Sequence, residues 1–465
     1  MAMKFTGFLS AVSEPKNYHL TGAQRFSNHE LKEMITPLLI EQFLSLVVGL
    51  MDTLMVSYAG EATVSGVSLD AMIYTIFNAL FGAIATGGAV VVSQYIGYGD
   101  RQNSDRCASQ MFHLSAVISL LFTAVMLAGG NSLLRLLYPT VEPEVMSAAR
   151  IYLRIVICSF PANALYNAGA AMYRAIGRTD VTMKVSFLMN LLNIAGNAVG
   201  IFVLHAGAAG VAWPTTIAWY FAAVVMTTLC FKPGNRVCAR VKYLFLPEGK
   251  MVKRILRVAI PNATENTLFQ LAKVVLGTLV ASFGTAQIAA NGIGQTLWSL
   301  AALVSISMGN IFITVIGQCM GAGDENAAEY YMVKLTRLSL VLCLIWSLTV
   351  LALTPLILPL YNISEEAKRY VFISVLIHNG FMIFFHVFSF PLSSGLRAAG
   401  DVQFTMVSSI VSTFIFRTLM SFILGLWLGW GLTGVCLAMA LDWCLKAYLD
   451  LHRFFSGKWK GKKII

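Results

Sequence analysis

Hydrophobic and polar positions along this chain follow neither the two-residue alternation of half-buried strands nor the single apolar stripe of a soluble helix. They run apolar for 20 or more residues at a time. Runs of that length match helices crossing a hydrocarbon core of about 30 Å. The strands of a membrane β-barrel alternate over about ten residues, so a barrel is excluded. Twelve spans are predicted, near 34–57, 71–96, 111–131, 148–172, 181–203, 209–231, 258–282, 287–318, 331–353, 368–392, 402–425 and 431–452. Two of them exceed what a bilayer needs, which implies tilt or extension beyond it. Composition agrees. Hydrophobic residues make up 57% of the 465 and charged residues 12%, with a mean hydropathy of +0.72. A soluble domain carries about 25% charged residues. Residues 5–13 are too short and too mildly apolar for a cleavable signal peptide.

The net charge of +11 raises the question of nucleic acid, and the positions of the charges answer it. Lys and Arg gather in the amino-terminal segment, in the loops after even-numbered spans and in the tail, and loops after odd-numbered spans are nearly bare. The densest stretch follows span six: Lys232, Arg236, Arg240, Lys242, Lys250, Lys253, Arg254 and Arg257. The tail adds Lys458, Lys460, Lys462 and Lys463. This asymmetry is a topology signal and places both termini in the cytoplasm, with no nucleic-acid partner. The bilayer is the partner, and anionic lipid would be weakly attracted. The eight cysteines form no CxxC and no Cys/His cluster, so they are read as reduced filler.

Against this apolar background the acids stand out. The first span, TPLLIEQFLSLVVGLMDTLMVSYAG, holds Glu41 one turn after Pro37, with Ser45 and Asp52 on the same helical face. Pro261 and Glu265 repeat the pattern 224 residues later. Charge at the bilayer centre costs several kcal/mol, so such acids point to function. Glu265 has Asn262, Asn266, Gln270 and Lys273 at helical spacing, a polar stripe suited to coupling or substrate contact. Asn190, Asn193 and Asn197 share one face of span five and are either interhelical glue or ligands. Asp52 is read as structural, a partner for Lys273 across the halves. Arg417 and Asp442 are read as a structural ion pair, and His378 and His386 as core histidines.

The repeat is wider than the acids. SQYIGYGD (93–100) returns as GQCMGAGD (317–324), YRAIGRTD (173–180) as LRAAGD (396–401), and GAAGVA (207–212) as GLTGVC (431–436). An even number of spans per half makes the copies parallel. The expected architecture is all-α, twelve transmembrane helices in two parallel-repeat six-helix lobes around a central cavity. The lobes are residues 1–231 and 258–465, joined by a basic cytoplasmic connector, 232–257. The G-x-G-D loops follow membrane helices and lack the lysine of a phosphate cradle, so no nucleotide cofactor is expected and ATP is not the driving force.

These motifs (P-x3-E in spans one and seven, G-x-G-D after spans two and eight, R-A-x-G after spans four and ten) resemble the multidrug and toxic compound extrusion (MATE) family over about residues 30–455. The resemblance implies a transporter, not an enzyme. It would export drugs, amphipathic and cationic organic compounds, by alternating access, driven by H+ or Na+. The implied setting is the bacterial inner membrane, with the protein acting as a monomer. The family's amino-lobe cation site maps onto Glu41, Asn193, Asn197 and Thr215, which implies a Na+ or proton site at Glu41, Asn193 and Asn197. Archaeal-type members place Asp at both acidic positions, so this set has one carboxylate fewer. Some members carry an acid about eleven residues before the arginine of the tenth-span loop, and counting back from Arg397 gives His386. The second lobe's coupling or substrate set is then Glu265, Asn266, Gln270, Lys273 and His386. The rival readings are a flippase for a lipid-linked oligosaccharide or cell-wall precursor, and a channel or receptor. A flippase would line its cavity with several arginines, whereas the deep cations expected here are Lys273 and Arg417.

Overall fold

The computed structural model describes residues 13–15, 18, 20, 24–139, 141–361, 363–462, 464 and 465. The stretch 5–12 and Lys463, both used above, lie outside the described residues. Thirteen helices carry the fold: α1 Asn28–Ser57, α2 Glu61–Tyr98, α3 Arg101–Leu137, α4 Pro143–Ile157, α5 Phe160–Ala175, α6 Thr179–Val203, α7 Gly207–Cys230, α8 Gly249–Ala281, α9 Thr285–Gly321, α10 Glu325–Ile357, α11 Glu365–Ala398, α12 Val402–Trp427 and α13 Gly431–Phe455. No strand occurs among the described residues.

Ten of these helices are long and apolar enough to cross a membrane. An eleventh crossing is the pair α4 and α5, one span bent by 48°. Pro161 lies in the first turn of α5, where a proline cannot continue the preceding hydrogen-bond ladder. The remaining helix, α8, has 33 residues. Its length suffices for a crossing, but the stripe Asn262, Glu265, Asn266, Gln270 and Lys273 lowers its hydropathy. The all-α two-lobe architecture stands, and the twelfth crossing is the one whose polar cargo disguises it.

The chain divides into two compact units, Thr36–Ala263 and Met1–Ile35 with Thr264–Ile465. The amino-terminal residues thus group with the second lobe and the basic connector with the first, whereas the repeat alone suggested cuts near 231 and 258. The connector is held to the first lobe by Arg240, which pairs with buried Asp105 at 2.8 Å. In the second lobe the Tyr331 hydroxyl both donates to and accepts from the Phe26 backbone at 2.9 Å.

The repeated G-x-G-D loops are helix punctuation. Gly99 ends α2 at φ 83° and Gly323 follows α9 at φ 72°, a left-handed conformation open to glycine. Asp100 then accepts from the Asn103 amide at 2.9 Å, and Asp324 from the Ala327 amide at 2.8 Å, capping α3 and α10. Aromatic packing of Phe77, Phe81, Phe122 and Phe160 fills the first lobe's core. Leu279, Leu297, Val371 and Val375 anchor that of the second.

Candidate functional site

In the first lobe the face of α6 carrying Asn190, Asn193 and Asn197 turns inward, and all three are buried. Glycine sets how closely α7 approaches. A Cβ on Gly200 would lie 2.0 Å from the Gly210 carbonyl oxygen, and one on Gly196 2.7 Å from Pro214. That approach brings Asn193 to within 3.1 Å of the Thr215 hydroxyl. Asp52 of α1 completes the group. Asn197 donates to its Oδ1 at 3.0 Å, and the Asn193 amide, turned nitrogen-first, donates to both carboxylate oxygens at 2.9 and 3.0 Å. The Asn197 carbonyl oxygen is buried with no hydrogen-bond donor among the described residues. The cluster opens on a cavity of about 340 Å³ lined also by Ser68, Tyr74, Tyr152 and Asn190.

This corrects the expected grouping. The amides and the threonine assemble around Asp52, and Glu41 is not the acid among them. Eleven residues of helix separate the two acids, about 16 Å of rise, so a shared face does not give a shared depth. Within the first lobe Asp52 takes its hydrogen bonds from α6, and within the second the Lys273 ammonium lies over Phe269 and Trp298. Glu41 is buried, accepting from Arg174 Nη2 at 2.7 Å and from the Thr182 hydroxyl at 2.8 Å. The carboxylate deficit stands: Asp52 takes the place expected for Glu41, but Asn197 is still an amide, so the group has one carboxylate. The oxygens gathered here, from a carboxylate, amides and a hydroxyl, suit a proton or a hard monovalent cation. Among the described residues no three His, Cys, Asp or Glu side chains cluster as a metal site.

The second lobe repeats the Glu41 arrangement. Glu265 accepts from Arg397 Nη2 at 2.5 Å and from the Ser409 hydroxyl at 2.6 Å. It lines a cavity of about 170 Å³ with Asn266, His386, Arg417, Asp442 and Lys446. His386 is buried, its Nδ1 2.7 Å from the Ser305 hydroxyl and its ring stacked on Phe390. Gln270 is half-buried on the same helix. Arg417 pairs with Asp442 through Nε at 3.0 Å and through Nη2. Lys446 lies 3.5 Å from Asp450. Lys273 belongs to a neighbouring cavity, with its ammonium over the rings of Phe269 and Trp298.

The Asp52 cluster has no copy in this lobe. At the 224-residue offset Asp52 becomes Leu276, Asn193 becomes Arg417, Asn197 becomes Ser421 and Thr215 becomes Met439. The frame is shared, with Gly434 in the place of Gly210 and Gly425 one residue past that of Gly200, but the polar content is not.

Sequence reasoning missed Arg174, Thr182, Arg397 and Ser409. The signal for the arginines was present, since both R-A-x-G motifs repeat at almost the offset of the two glutamates. It also undercounted deep cations: Arg397 and Lys446 are buried, besides Arg417. Each of these three faces a carboxylate, so none is free to grip a pyrophosphate.

The MatE family profile matches residues 37–199 and 261–423, two stretches offset by 224 like the motifs. The chain is 25% identical over 442 residues to "Uncharacterized transporter YisQ" of Bacillus subtilis, covering 92% of this chain and 94% of that protein. It is 25% identical over 448 residues to "Probable multidrug resistance protein NorM" of Thermotoga maritima, covering 94% of each. A solved structure described as the outward-facing conformation of a multidrug resistance MATE family transporter superposes with a TM-score of 0.83 at 19% identity. That superposition covers 92% of this chain and 96% of that one. With two repeat copies matching one profile at the spacing of the sequence motifs, this multi-pass membrane chain belongs to the MatE family, a family of transporters and not of enzymes.

Proposed function

We propose that the protein is a secondary multidrug exporter of the bacterial inner membrane, driven by H+ or Na+ and working as a monomer with both termini cytoplasmic. Its substrates are amphipathic organic compounds, cations among them, and it moves them by alternating access to the two sides of the membrane. The observation that carries this reading is the Asp52 cluster. One carboxylate, two amides and a hydroxyl meet beside a cavity, and the buried Asn197 carbonyl oxygen has no donor among the described residues. An acid without a permanent cationic neighbour can exchange a proton or a sodium ion as the protein cycles. Binding from outside would favour return to the inward-open state after the drug has left. Glu41 and Glu265, by contrast, hold arginines. Their place in the proposal is to tie helices within each lobe, so that Asp52 is the residue that couples.

Ethidium efflux from proteoliposomes under an imposed proton or sodium gradient tests this. Efflux is expected under one gradient and at least tenfold slower in Asp52→Asn. Full efflux by that variant would overturn the coupling role. Movement of a lipid-linked sugar with no drug efflux would favour the flippase.

A further inference from the structure

The cavity around Lys273 has a chemistry that the export reading does not use. Its volume is about 210 Å³, and it is walled by α8, α9, α11, α12 and α13. No Asp or Glu lines it, but Lys273, Arg417, His378, Asn291 and Gln295 do. Arg417 is already balanced by Asp442 on its other side. Lys273 has no carboxylate within ion-pair distance among the described residues; its neighbours are Phe269 at 4.9 Å and Trp298 at 5.4 Å from the ammonium. Its own side chain is exposed, so it stands at the open end. At the inner end His378 is 3% exposed and neither ring nitrogen has a hydrogen-bond partner among the described residues. The buried indole N–H of Trp298 also lacks an acceptor among the described residues. Buried donors left unmade cost about 1–3 kcal/mol each, so this pocket is short of acceptors.

The two lobes therefore differ in polar content at equivalent positions. Where the first has Asp52 and Asn193, the second has Leu276 and Arg417. We infer that the Lys273 pocket binds the carboxylate of a planar aromatic compound at its open end, with the oxygens taken by Lys273 and Trp298 Nε1 and the ring system by Phe269, Leu276 and Met439. As a substrate site it rests on the export reading, and it extends that reading from organic cations to aromatic carboxylates. A flat anion placed beside Lys273 would replace part of the cation–π contact with a charge-assisted hydrogen bond, which is the stronger interaction.

Calorimetric titration of the full-length protein in detergent, against a micelle blank, compares 2-naphthoate with its neutral isostere 2-naphthamide. The acid is expected to bind at least tenfold more tightly, about 1.4 kcal/mol. Lys273→Met should erase that preference and Lys273→Arg should keep it. Equal affinities for acid and amide, binding of neither, or a preference surviving Lys273→Met would each overturn the inference. The acid–amide comparison on the wild-type protein decides the matter even if Lys273→Met does not fold. Binding needs no gradient, so failure of driven efflux with naphthoate binding intact would count against the export reading alone.

Discussion

Replacing Glu41 with Gln should cost stability in the first lobe, because the residue is a partner to a guanidinium. The side chain is 4% exposed and its Arg174 partner 18%. Two hydrogen bonds end on the carboxylate, at 2.7 Å from Arg174 and 2.8 Å from Thr182. Gln keeps one acceptor oxygen and so can retain the Thr182 bond. What it cannot keep is the opposing charge. Breaking a buried ion pair from one side costs 3–5 kcal/mol, and the partial exposure of Arg174 puts the expected loss near the lower figure, about 3 kcal/mol. The assay is a double-mutant cycle with Glu41→Gln, Arg174→Gln and the double variant, read by thermal unfolding of purified protein. The double variant should lose less than the sum of the singles, with a coupling of about 2 kcal/mol. A coupling below about 0.5 kcal/mol would refute the assignment, since that is the scale of a solvated surface pair. So would a Glu41→Gln protein that melts like wild type and has lost only transport, the signature of a coupling acid.

Other consequences follow from the same geometry. Asp52→Asn should leave stability by thermal unfolding within about 1 kcal/mol of wild type, since an amide replaces a carboxylate held by neutral hydrogen bonds, while gradient-driven efflux falls at least tenfold. Gly200→Ala would set its Cβ 2.0 Å from the Gly210 carbonyl oxygen; thermal unfolding should report a loss of at least about 2 kcal/mol, as for an overpacked core. Asp324→Ala removes the cap on α10 and should cost about 1 kcal/mol by the same readout. Glu14 lies outside the spans: burial pushes its carboxyl up, but hydrogen bonds from Lys334 and Tyr330 outweigh this and hold it below the usual 4.5. A carboxyl lowered on folding stabilises above its unfolded value, and that stabilisation is lost as pH falls through the folded one. Melting temperature measured from pH 6 downward should therefore drop more steeply below about 4.5 in wild type than in Glu14→Gln.

The sequence by itself determined the membrane class, the run of helices, the duplication and the presence of buried acids in both halves. Each depends on a local quantity: hydropathy summed over one span, or self-similarity at one offset. The G-x-G-D loops were legible as a repeat, and their cause, a left-handed glycine followed by a capping aspartate, is equally local. Tertiary structure alone decided which acid meets which amide. A helical period places Glu41 and Asp52 on one face, but it says nothing of the depth at which α6 and α7 cross α1. That depth follows from loop length, from the bend at α4 and α5, and from the close contact of Gly200 with Gly210. It sends Asn193 and Asn197 to Asp52, and Arg174 to Glu41. Arg417 shows the same limit from the other side. Its place in the repeat matches that of Asn193, yet with Leu276, Ser421 and Met439 standing for Asp52, Asn197 and Thr215 the same frame holds a guanidinium paired to Asp442 and no cation ligands. Position in the frame is inherited from the repeat, whereas charge at that position is set residue by residue, and only contacts in three dimensions reveal what the two together make.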